Sequence, residues 1–140
     1  MSLIKLIEFK NLGDDRGQLV SFEGNINIPF NIKRIYCIHG TKNNVVRGLH
    51  AHKTLKQVAI ALQGSCTFLL DDGYVREEII LDAPSKGLFI DSCLWREIHG
   101  FSDDCVLIVL ADQHYDESDY IRDYSQFIEA VSANVHSSIK

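Results

Sequence analysis

The stretch CTFLLDDGYVREEIIL, residues 66–81, decides how this chain is read. Its two arms, 66–70 and 74–81, are apolar and strand-like, and Asp71-Asp72-Gly73 separates them. An Asp-Gly pair between two strand patterns is a strong hairpin signal, because glycine accepts the positive φ that tight hairpin turns require. Outward from this hairpin the same short apolar pattern recurs. Residues 3–9, 18–23, 34–39 and 57–62 read as strands on one side, and 87–90, 96–101 and 105–111 on the other. Gly13-Asp14-Asp15 and Ser102-Asp103-Asp104 supply further turns. Many short strands at near-regular spacing predict an all-β sandwich or closed barrel rather than a parallel sheet with crossover helices.

The pattern changes at Tyr115-Asp116-Glu117-Ser118-Asp119. Beyond it Tyr120, Ile121, Tyr124, Phe127, Ile128 and Val131 recur at helical spacing, with acidic residues at the start where a helix dipole favours them. The spacing predicts one amphipathic helix over about residues 117–131 and a frayed tail over 132–140. With no internal repeat or linker, the 140 residues read as one domain, 1–140.

Composition narrows the function. Apolar residues make up 46% of the chain and prolines number only two, which suits a packed core. A net charge of −5 argues against general binding to nucleic acid or membranes, although a local arginine cluster can still hold an anion. No apolar run reaches the roughly 20 residues of a membrane span, and the charged N-terminus MSLIKLIEFK is a poor signal peptide. Cys37, Cys66, Cys93 and Cys105 form no C-x-x-C pair and read as free thiols, so a cytoplasmic location is expected.

The segment VRGLHAHK, residues 46–53, carries the chemistry. Residues i and i+2 of a strand share a face, so His50 and His52 can converge on one ligand while Ala51 points away. Gly48 lets the backbone turn or approach closely just before them. A metal clamp, an acid–base pair and two exposed strand residues are all compatible with that spacing.

An H-x-H behind a glycine, followed by a strand and a further glycine, resembles the first motif of the cupin barrels. Metal-binding cupins place a glutamate after the pair and a histidine on a later strand. Gln57 and Arg96 fall near those positions here, and an amide and a cation are poor ligands. His99 is the remaining nitrogen that could complete a metal site.

The segments IPFNIKRIYCI, RGLHAHK, LDDG, LWREIH, FSDDCVLIVLAD and YDESDYIRDY together resemble the sugar 3,4-ketoisomerases over about residues 4–130. The resemblance implies a cupin-type antiparallel β-barrel or jelly roll with one C-terminal helix. It also implies a homodimer, in which strand 3–9 could pair across the interface, and a cytoplasmic enzyme of deoxysugar and surface-polysaccharide biosynthesis. The implied substrate is a dTDP-linked 4-keto-6-deoxy sugar, dTDP-4-keto-6-deoxy-glucose, with no metal and no other cofactor. Moving its carbonyl from C4 to C3 requires a base near neutral pKa and a donor facing the developing oxyanion. Histidine serves as either base or acid near pH 7.

Carried over by motif, His50 and His52 are the catalytic pair, with His50 as base at C3 and His52 as donor or relay toward C4. Tyr36 is expected to donate to the enediolate or to orient a histidine. Arg34, Arg47 and Lys53, followed by Arg16 and Arg96, are candidates for the substrate's pyrophosphate, since guanidinium groups match phosphate oxygens two at a time. Trp95 or a tyrosine is a candidate to stack on thymine, with core packing as the alternative for Trp95. The family varies at the positions of Arg16 and Arg96, which are expected to select the face on which C4 is protonated. Two rival readings use the same fold: a nucleotide-sugar 3,5-epimerase, and a sugar-binding or sensory cupin without catalysis.

Overall fold

The computed structural model describes the backbone of residues 2–139 and the side chains of residues 2–133. Its strands run β1 (Lys5–Glu8), β2 (Arg34–His39), β3 (Arg47–His52), β4 (Gln57–Gln63), β5 (Cys66–Asp71), β6 (Arg76–Leu81), β7 (Lys86–Ile90), β8 (Trp95–His99), β9 (Val106–Ala111) and β10 (Tyr120–Ile121). A single α-helix, α1 (Tyr124–Ile139), follows. The strands form two antiparallel sheets, in the orders β1-β7-β4-β9-β2 and β10-β3-β8-β5-β6. The β5–β6 hairpin turns where Asp72-Gly73 stands, with Asp72 N–H bonded to Val75 O at 3.3 Å.

The inner faces of the sheets enclose a core built on Phe68, Leu70, Leu81, Leu88, Ile90 and Leu107. Two smaller clusters cover the outer faces. Phe9, Ile28 and Phe30 pack on Val58, Ile60 and Leu110 of the first sheet. Phe127 of α1 packs with Trp95, Ala51 and Ile121 on the second. Burying such side chains stabilises the fold by roughly 1.5–3 kcal/mol each.

Three sequence expectations are corrected. Residues 18–23 form no strand: the segment between β1 and β2 is irregular, with isolated bridges Asp14–Gly17 and Gly24–Ile28. Val20 and Phe22 alternate because they pack on the first sheet's outer face, and alternation reports a buried face, not a hydrogen-bonded neighbour. The helix begins at Tyr124 rather than about 117, and helical backbone continues to Ile139 where a frayed tail was expected. Asp116 instead caps a 3-10 turn, Glu117–Asp119, and Tyr120–Ile121 then extend to pair with His52 and Ala51 of β3. The carboxylate that caps the helix is Asp123, which accepts from Gln126 N–H at 3.1 Å. On one side β1 pairs with β7 of its own chain, and its other edge stays open.

Between Gly48 and His50 the register of β3 against β8 slips. Gly48 has φ +84° and Leu49 +55°, so two consecutive residues sit in the left-handed region. The bulge makes Leu49 the unpaired residue, and both Arg47 and His50 then face inward, opposite Ile98 and Arg96. A Cβ on Gly48 would lie 3.0 Å from Arg96 O. Gly48→Ala is therefore expected to cost about 1–3 kcal/mol in denaturant unfolding; an unchanged midpoint would show that this backbone is not constrained.

Candidate active site

Near one end of the sandwich the inner faces diverge around a cavity of about 380 Å³. Arg34 and Tyr36 of β2 line one wall and Arg47 and His50 of β3 the other; Tyr115, Tyr120 and Arg122, from the strap between β9 and α1, close a third side. Beneath it a second space of about 10 Å³ is bounded by Tyr36, His50, Gln57 and Arg96 among others. The arginines stand at the open wall and the histidine, tyrosine and amide toward the closed floor.

His50 Nδ1 lies 2.9 Å from Gly48 O. A carbonyl only accepts, so Nδ1 carries the hydrogen and Nε2 keeps its lone pair. Burial first, then the Arg96 guanidinium, pushes this imidazole down from 6.5 to about 4, so it is neutral at pH 7. The His52 ring stands edge-to-face to it, with centroids 4.9 Å apart. His52 is fully buried behind His50 and packs against Tyr120 at 4.3 Å, rather than lining the cavity. Burial, followed by Arg96 and His50, lowers its pKa too, with Asp119 pulling the other way.

Arg96, only 2% exposed, is the charge at the floor. It donates Nη1–H to Gln57 Oε1 and Nη2–H to Leu94 O at 3.1 Å, two neutral acceptors. Burial lowers it to about 10, still cationic at neutral pH. With Gln57 oxygen held by Arg96, its amide nitrogen donates to the Tyr36 hydroxyl oxygen at 3.1 Å. Tyr36 O–H is left free to donate, and burial raises its pKa, keeping the proton on. Positive charge thus backs a directed donor through one amide.

At the mouth, Arg34 has Nε and Nη2 buried without a hydrogen-bond partner and lies over the rings of Tyr36 and Tyr115 at 5.2 and 5.6 Å. Arg47 is exposed on the opposite wall. Arg122, which the sequence reading missed, bonds Glu117 at 2.6 and 2.9 Å and covers Tyr120.

Three expected contacts are not brought to this cavity. Trp95 is 4% exposed, stands edge-on to Tyr124 beneath α1, and donates to Glu97 at 3.0 Å. Arg96 points inward, so its neighbour on the strand must point outward. Arg16 is ion-paired to Asp14 at 2.7 Å in the irregular segment after β1. Lys53 lies beyond the end of β3 with its side chain in solvent. His99 faces outward as well, 3.5 Å from Glu78, and does not join His50 and His52.

Asp119, Tyr120 and Arg122 were hidden because helical spacing over 117–131 concealed a strap. A carboxylate three residues before a bulky aromatic–arginine cluster was the only local signal, and it equally fits a helix start.

Comparison with known proteins agrees with this fold. The family described as "FdtA: WxcM-like, C-terminal" matches residues 2–132. The chain is 54% identical over 123 residues, 88% of each sequence, to a TDP-4-oxo-6-deoxy-alpha-D-glucose-3,4-oxoisomerase of Aneurinibacillus thermoaerophilus. It superposes with TM-score 0.92 at 42% identity, over 95% of this chain and 96% of the other, on a variant of the 3,4-ketoisomerase QdtA from Thermoanaerobacterium thermosaccharolyticum in complex with TDP-4-keto-6-deoxyglucose. A 3'-monoepimerase from Streptomyces bikiniensis matches with TM-score 0.72 at 16% identity, over 84% of this chain and 68% of the other, a likeness of fold alone. With the fold and nearly the full length in common, this chain belongs to the FdtA/WxcM-like family of sugar 3,4-ketoisomerases.

Proposed function

We propose that this protein moves the keto group of TDP-4-keto-6-deoxyglucose from C4 to C3. One observation carries the reading: a neutral His50, its Nε2 lone pair free, stands beside the Tyr36 donor and over a buried Arg96 with no carboxylate partner. His50 Nε2 takes the C3 proton. The C3–H electron pair forms the C3=C4 bond, and the carbonyl pair moves to the C4 oxygen. Tyr36 O–H donates to that oxyanion, with the Arg96 charge behind it. The C3 hydroxyl then passes its proton to the C4 oxygen, its O–H pair forms C3=O, and the C3=C4 pair takes a proton at C4 from the histidine pair, which exchanges with solvent and returns to its neutral state. Oxidation at C3 balances reduction at C4, so the step needs no external redox partner.

His52 acts in this reading as a relay behind His50 rather than by touching the sugar. The pyrophosphate is bound by Arg34 and Arg47, whose guanidinium groups have no carboxylate within ion-pair distance among the described residues. Arg122 is already engaged with Glu117. Stacking on thymine falls to Tyr115 at the cavity's edge. Arg16 and Lys53 have no part in the pocket as one chain forms it.

A homodimer remains part of the proposal: β1 and β2 each leave one edge open, and Ile35 on β2 is 61% exposed. Sedimentation at twice 15.9 kDa would support it. Four free cysteines suit a cytoplasmic enzyme, and no described helix is long and apolar enough to cross a membrane.

Incubation with TDP-4-keto-6-deoxyglucose in deuterated water tests the reaction. Carbon NMR should show the carbonyl at C3 and deuterium at C4. Exchange at C5 instead would indicate an epimerase, and binding with an unchanged carbon spectrum would indicate a sensor.

A further inference from the structure

We infer that Asp119 is a positioning residue, which holds His52 in the Nδ1–H tautomer and keeps its Nε2 free to receive a proton from the site. The inference rests on the proposed reaction for its meaning, and on the following geometry for its support.

Asp119 is 8% exposed in the 3-10 turn just before β10. Its Oδ1 accepts from Thr54 N–H at 3.0 Å and Thr54 Oγ1–H at 2.7 Å; its Oδ2 accepts from Leu55 N–H at 3.2 Å and faces His52 Nδ1 at 3.3 Å. Burial works to raise the carboxyl's pKa, but the donors from Thr54 and Leu55 outweigh it and hold the group below its ordinary value, ionised at neutral pH. An ionised carboxylate is an acceptor only. Three of its four neighbours are fixed donors, so the fourth, His52 Nδ1, carries its hydrogen toward Oδ2. Nε2 is then bare.

That bare nitrogen is buried and has no hydrogen-bond partner among the described residues. Leaving a buried acceptor unsatisfied costs roughly 1–3 kcal/mol, a cost natural proteins tolerate chiefly where chemistry uses the group. The His50 ring lies 4.9 Å and the Tyr120 ring 4.3 Å from the His52 ring, centroid to centroid, and both of those neighbours line the cavity. A carboxylate behind an imidazole both selects its tautomer and stabilises the imidazolium when a proton arrives. The same residue also pins the strap, since Asp119 O accepts from Lys53 N–H at 2.9 Å. The experiment must separate tautomer control from this anchoring.

Nitrogen-15 NMR of histidine-labelled protein, without substrate, reads the tautomer directly. The wild-type His52 ring should show a protonated Nδ1 and a bare Nε2; the opposite pattern would overturn the inference whether or not the protein turns over the sugar. In Asp119→Asn the amide oxygen can still serve Thr54, while its nitrogen lies opposite His52 Nδ1. His52 should then switch to Nε2–H, with kcat falling about 100-fold, the low end of a lost proton-transfer group, and KM little changed. Thr54→Val removes an anchoring donor without touching the His52 contact, and should keep both tautomer and turnover. An Asp119→Asn protein that keeps the wild-type tautomer, or a Thr54→Val protein that loses as much kcat, would assign Asp119 to anchoring alone.

Discussion

Replacing His50 by asparagine is expected to lower kcat about 10³-fold while the sugar nucleotide still binds, because a general base, the role proposed for His50, contributes roughly 10²–10⁴ in rate. The asparagine side-chain N–H can take over the donation to Gly48 O that His50 Nδ1 makes at 2.9 Å, so the bulge keeps its partner. What disappears is the lone pair. Arg34 and Arg47, proposed to hold the pyrophosphate, are on other parts of the cavity and are expected to stay in place. Solvent deuterium should no longer enter the sugar, and calorimetric affinity for TDP should match the wild type within error. Retained turnover would remove His50 from the mechanism; lost TDP affinity would make it a binding residue.

Arg96→Met is expected to slow turnover by about 10²–10³-fold, the usual loss when one oxyanion-stabilising group is removed. Methionine is of comparable length but leaves Gln57 Oε1 without its donor, so the amide no longer directs its N–H at Tyr36. The orphaned oxygen costs about 1–3 kcal/mol, partly offset by removal of a charge desolvated without a counter-ion. The pH profile carries the sharper test. The acidic limb of kcat/KM is expected to mark protonation of His50 in the free enzyme, whose pKa of about 4 reflects burial first and the Arg96 cation second. Without the cation, the folded pKa rises toward 6.5, and activity is lost at a higher pH during acidification. An acidic limb that stays put would mean that Arg96 does not act on His50 electrostatically. In the wild type, the anion forming in the substrate would itself raise the basicity of His50 as the reaction proceeds, which reconciles a low resting pKa with a base.

Local pattern reached a long way in this chain. The Asp72-Gly73 hairpin, strand 34–39 and the two-residue spacing of His50 and His52 are properties of neighbouring residues, and each recurs in the structure. Gly48 announced an unusual backbone, but Leu49, at φ +55°, carried no signal that it would be the bulged residue. Trp95 and Arg96 show the limit of motif reading. Adjacent strand residues cannot both face one cavity, and only knowing which of them opposes His50 settles that the arginine faces inward and the tryptophan packs under α1.

The strap over residues 115–122 marks the boundary between the two sources of information. Side-chain order established that these strands alternate, that the hairpin turns and that imidazoles share a face, since each depends on contacts a few residues apart. Where the strap runs depends on Tyr120–Ile121 finding the open edge of β3 and Asp119 finding Thr54, Leu55 and His52, partners 64 to 67 residues away. Helical spacing at 120–131 competes with that pairing locally, and nothing nearby in the chain decides between them. Assembly of the second sheet decides it, because only then does an unpaired strand edge exist for the strap to satisfy.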